Sequence, residues 1–95
     1  MEIKEMKVSE ITPYAKNAKK HPKEQVEHIA NSIKEFGFQQ PLVVDKNNVL
    51  VIGHGRLLAA KKLKMQTVPV VCAEDLTDEQ IAALRLADNK TNESE

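Results

Sequence analysis

The stretch from Val49 to Leu63 constrains this chain most. It runs Val49-Leu50-Val51-Ile52, then Gly53-His54-Gly55-Arg56, then Leu57-Leu58-Ala59-Ala60-Lys61-Lys62-Leu63. Four apolar residues rich in β-branching read as a strand, and the apolar and basic residues that follow read as a helix from about Gly55 to Lys64. Two glycines bracket the passage between them. A strand that turns through glycine into a helix start leaves backbone N–H groups without helical partners, and those groups, with the helix dipole, favour an anion. The turn is neither a P-loop nor a dinucleotide fingerprint, because it lacks a third glycine and a Gly-Lys-Ser/Thr ending.

The surrounding chain supplies the elements such a turn needs. Ile3, Met6 and Val8 alternate loosely and predict a first strand over 2–8, and Ile11-Thr12-Pro13-Tyr14 reads as a turn. Residues 15–23 carry four lysines (Lys16, Lys19, Lys20 and Lys23) and read as a basic loop. Such a loop supplies either phosphate counter-charges or a solvated connection. Pro22 suits a helix start, and Val26, Ile29, Ala30, Ile33 and Phe36 recur at helical spacing up to Gly37, predicting a helix over 22–36. Leu42–Asp45 and Val49–Ile52 flank Lys46-Asn47-Asn48 and predict a hairpin. The apolar run Val68–Cys72 predicts an interior strand. Thr77 and Gln80 have capping-box spacing, with Ile81, Leu84 and either Leu86 or Ala87 facing inward, so a last helix is expected from Thr77 to about Leu86. Residues 88–95 are polar and read as a frayed tail or the start of a linker, on a chain expected to be part of a larger protein.

Ninety-five residues suit one domain, 1–95, with a modest core. Tyr14, Phe36 and Phe38 are its only aromatics, so the core is aliphatic and base stacking along a single strand is not expected. Cys72 is the sole cysteine; it cannot form an internal disulfide, and its apolar surroundings read as those of an inert thiol. Met1 is followed by Glu2 and Lys4 rather than by an apolar signal region. No apolar run approaches the roughly 18 residues of a membrane span, so a cytoplasmic location is expected. The formal net charge is zero, yet residues 1–73 hold 12 Lys/Arg against 7 Asp/Glu, and residues 74–95 hold 2 against 7. A basic body of this kind can meet a polyanion on one face.

At the turn itself, Arg56 is one of two arginines in the chain and stands in the first helical turn, where the dipole disfavours a cation. An anion nearby resolves that mismatch, and a guanidinium clamps phosphate through two donors. His54 has three open roles: general base, anion contact or metal ligand. His21, His28 and Asp88 are its candidate metal partners, but their spacing follows no recognised ligand pattern, and no metal site is expected on that basis.

These segments together resemble a known family. Ile29-Ala30-Asn31-Ser32-Ile33-Lys34-Glu35-Phe36-Gly37-Phe38-Gln39-Gln40-Pro41-Leu42-Val43-Val44 looks like the first motif of ParB-like N-terminal domains. Gly53-His54-Gly55-Arg56-Leu57-Leu58-Ala59-Ala60 falls where that family carries Gly-Glu-Arg-Arg-x-x-Ala. Val68–Val71 is similar to its next strand, and Asp88-Asn89-Lys90-Thr91-Asn92 lies where it has Glu-Asn-x-Gln-Arg. The resemblance implies an α/β (α+β) domain of the ParB/sulfiredoxin fold, with a small mixed sheet and three to four helices. It also implies binding of DNA or of a nucleotide such as CTP. Gln40, Pro41, Gly53, His54, Gly55, Arg56 and Asn89 are then the expected phosphate and nucleotide residues, and Lys16, Lys19, Lys20 and Lys23 the nucleic-acid rim. His54 and Gly55 stand where the CTP motif has its glutamate and first arginine, so CTP hydrolysis is not expected; Cys72 lies outside the turn, so neither is sulfiredoxin chemistry.

The form Gly-His-Gly-Arg, with Ala-Asp-Asn-Lys further on, is similar to phage-type domains that precede a DNA methyltransferase domain, and a C-terminal methyltransferase or DNA-binding domain is an expected partner. Two other readings stay open. One is a nuclease or nucleotide triphosphatase that uses His54, Asp88 and a divalent metal; the other is a non-catalytic docking domain.

Overall fold

The apolar runs after α-helical residues 23–36 are too short to be stable alone, and they pair with one another and with the N-terminal strand in one sheet. The computed structural model describes residues 2–18 and 21–93. In chain order the elements are β1 (Ile3–Lys7), a 3-10 turn (Val8–Glu10), α1 (Ala15–Ala18), α2 (Lys23–Phe36), β2 (Leu42–Val44), β3 (Leu50–Ile52), α3 (His54–Lys62), β4 (Thr67–Cys72) and α4 (Asp78–Glu93). The mixed sheet has the order β1-β4-β2-β3. The predicted hairpin is present as antiparallel β2 and β3, and the apolar run 67–72 lies inside the sheet, antiparallel to β1 and parallel to β2. Asp45 shapes the hairpin turn by accepting the Asn47 and Val49 N–H groups at 2.8 and 3.0 Å, and Asn48 takes the left-handed conformation with φ +63°.

The main core joins Leu42, Val44, Leu50, Val68 and Val70 of the sheet to Leu57 and Ala60 of α3 and to Ile11. A second cluster fills the space between α2 and α3 with Ala30, Ile33 and Ala59. The helix after the glycine turn is therefore buried on two sides, against the sheet and against α2. A third cluster seats α4 on β3 through Val51, Ala73 and Ile81. The predicted capping box opens α4: the Thr77 N–H donates to Gln80 Oε1 at 2.9 Å, and the Gln80 N–H donates to Thr77 Oγ1 at 3.1 Å.

Four expectations are corrected. Residues 15–18 form a short helical turn inside the stretch read as a loop. The last helix does not stop near Leu86 but runs to Glu93, since neither glycine nor proline interrupts it. Phe36, placed on the inward stripe of α2, is 64% exposed; the chain reverses at Gly37 and Phe38 packs into the core in its stead. Leu86 is 62% exposed and Ala87 is exposed beside it, because Arg85 takes the inward position on α4.

Candidate functional site

Gly53 sets the geometry of the site. It caps α3 in the left-handed region, at φ +105° and ψ 29°, and a Cβ there would stand 2.5 Å from Leu42 Cδ2. Both backbone and space require glycine. Gly55 meets a different demand. A Cβ on it would lie 2.9 Å from Ile29 Cδ1 and 3.2 Å from His21 Nδ1, so its bare backbone lets α2 and the His21 ring come close to the first turn of α3.

Arg56 leaves that turn toward the segment after α2. Its Nη1 donates to Gln40 Oε1 at 3.3 Å and its Nη2 to the Pro41 carbonyl at 3.4 Å, both long contacts to neutral oxygens. Its Nε is buried and has no hydrogen-bond partner among the described residues. Burial lowers the guanidinium below its ordinary pKa, and the Asp88 charge opposes that shift. Beside Arg56 lies a groove of about 300 Å³, lined by His28, Ile29, Ser32, Phe38, Gln39 and Gln40 among others.

His54 points elsewhere. It is 1% exposed, and its Nε2 accepts the Tyr14 N–H at 3.1 Å. That bond places the ring proton on Nδ1, which lies 3.4 Å from Asp88 Oδ2. The contact is thus a long hydrogen bond from a neutral ring rather than an ion pair. The His21 ring lies parallel to it, 6.4 Å away between centroids.

The structure therefore brings Gln40, Pro41, Gly53, Gly55 and Arg56 together, with His54 and Asp88 paired behind them. Lys16 and Lys23 are exposed on α1 and at the start of α2. Lys19, Lys20 and the Asn89 side chain lie outside the described residues.

Sequence reasoning missed the set that holds α4 in place. Arg85 Nε donates to the Leu50 carbonyl at 3.2 Å, and Nη2 donates to Asp45 Oδ2 at 3.1 Å. The guanidinium also stands 4.5 Å from the centre of the Tyr14 ring. Asn17, 2% exposed, donates through Nδ2 to the Arg85 carbonyl at 3.1 Å. The signal available was Arg85 as the second of two arginines, flanked on its helix by Leu84 and Leu86.

Comparison with known proteins places this arrangement. Residues 1–90 match the model of the ParB N-terminal domain. The chain is 47% identical over 73 residues to the ParB-like nuclease domain-containing protein YnaK of Escherichia coli, covering 77% of this chain and 84% of that protein. The chain belongs to the ParB N-terminal domain family. Among solved structures it is similar to a C-terminally truncated chromosome-partitioning protein ParB from Caulobacter crescentus complexed with CTP-gamma-S. That match has a TM-score of 0.80 at 23% identity and covers 96% of this chain and 54% of the other. Sulfiredoxin from Arabidopsis thaliana matches with a TM-score of 0.74 at 21% identity, over 88% of this chain and 97% of the other. The fold is the expected ParB/sulfiredoxin one. The chain spans 33% and 31% of the length of two curated chromosome-partitioning proteins that it also matches.

Proposed function

We propose that this domain binds the phosphate groups of a nucleotide or nucleic acid at the Gly53–Arg56 turn, with the groove beside Gln40 taking the neighbouring part of the ligand. One observation carries this reading: among the described residues, Arg56 is held at a helix start with a buried Nε that has no partner and with long hydrogen bonds to neutral oxygens alone. A phosphate supplies the acceptors that this guanidinium lacks, and the first-turn N–H groups of α3 add to them. The relative complexed with CTP-gamma-S makes CTP the first nucleotide to test.

In this reading His54 is a positioning residue. With Nε2 accepting an N–H, the ring has no free lone pair for a proton, so the His54–Asp88 pair serves to join the start of α3 to α4 rather than to act as a base. Calorimetric titration at low salt with CTP, ATP and duplex DNA tests the proposal. Arg56→Ala is expected to weaken binding at least tenfold. Absence of any binding by the wild-type chain overturns the reading. Nuclease or triphosphatase turnover in divalent metal that is lost in His54→Gln, with folding intact, restores the enzymatic alternative.

A further inference from the structure

The opposite end of α3 carries a second feature. A groove of about 560 Å³ lies between the 3-10 turn, the end of α3 and the start of β4. Val8, Ile11 and Met65 give it an apolar floor, and Lys7, Lys61 and Lys64 stand on its rim. No acidic residue lines it, and none of these three lysines is ion-paired among the described residues, whereas their neighbour Lys62 pairs with Glu27 at 3.3 Å. Nine helical residues separate this groove from the Gly53 turn, roughly 13 Å along the axis.

Lys64 is the informative residue. The Met65 N–H bonds the Ala60 carbonyl and the Lys64 N–H bonds the Lys61 carbonyl, both at 3.0 Å, which is the Schellman ending of a helix. The residue at its left-handed position is ordinarily glycine, yet here it is lysine at φ +59°. A residue kept in a disfavoured conformation points to a use for its side chain. Cations do complement the end of a helix, but Lys61 and Lys62 already supply them there, and Lys7 belongs to a strand.

We infer that this groove docks an acidic peptide segment of a partner protein, with an aliphatic side chain seated on Val8, Ile11 and Met65 and carboxylates met by Lys7, Lys61 and Lys64. Charge complementarity selects an acidic ligand, and the apolar floor selects a peptide over a phosphate backbone, which has no aliphatic side chain to offer it.

The test is an NMR titration of the full chain with the synthetic peptide Glu-Glu-Leu-Glu-Glu-Leu, an all-Glu hexamer and a mixed-sequence duplex DNA. The Glu/Leu peptide is expected to shift the amides of Val8, Lys61, Lys64 and Met65, with the all-Glu hexamer at least tenfold weaker. Lys64→Gly is expected to raise the melting temperature while weakening the peptide at least tenfold, and Arg56→Ala to leave it unchanged. The inference is overturned by absence of shifts at these residues, by DNA or all-Glu binding there as tightly, by unchanged peptide binding in Lys64→Gly, or by a melting temperature that fails to rise.

Discussion

Gly53 and His54 are adjacent residues with opposite requirements. Gly53 must have no side chain, since its φ is +105° and a Cβ would stand only 2.5 Å from Leu42 Cδ2. Gly53→Ala is expected to cost about 2–4 kcal/mol in urea unfolding, from backbone strain together with overpacking. His54 must have a side chain with an acceptor, because the Tyr14 N–H turns inward onto its Nε2. His54→Leu keeps much of the volume and removes the acceptor. It is expected to cost about 1–3 kcal/mol, the penalty of an unsatisfied buried donor, in the same measurement.

Among the elements, α4 depends most on specific polar contacts. Only part of its surface is apolar and inward, through Ile81 and Leu84, and Arg85 bridges to the hairpin residues Asp45, Val49 and Leu50 and to the Tyr14 ring. Arg85→Met is expected to speed hydrogen exchange across α4 while α2 and α3 keep their protection, read by exchange mass spectrometry. Thr77→Ala removes half of the capping box and is expected to lower stability by about 1 kcal/mol.

At the scale of the molecule, the hairpin and α4 share one titrating group. Burial pushes the Asp45 carboxyl up, but the Val49 N–H, the Arg85 guanidinium and the Asn47 N–H together hold it below its ordinary value. A carboxyl with a depressed folded pKa contributes stability above its unfolded value, near pH 4, and that contribution is lost as pH falls through the folded value. Denaturant midpoints of the wild type are therefore expected to fall below about pH 4. Asp45→Asn should show a shallower fall and a lower plateau at neutral pH. No helix among the described residues is long and apolar enough to cross a membrane.

The order of the main elements, the hairpin, the capping box and the location of the glycine turn were all legible in the chain of residues. Each of these is set by neighbours within a few residues: alternation, helical spacing, a capping pair, two glycines between a strand and a helix. What the turn's side chains touch is set instead by packing between segments far apart in the chain. Tyr14 meets His54 across 40 positions, Asp88 meets it across 34, and Arg85 reaches Asp45 across 40. Local pattern carries no information at such separations, which is why His54 read as an open chemical group and Arg85 went unassigned. The same packing faces Arg56 toward Gln40 with donors to spare, and that unfilled valence, more than the glycines around it, is what marks the turn as a candidate binding site.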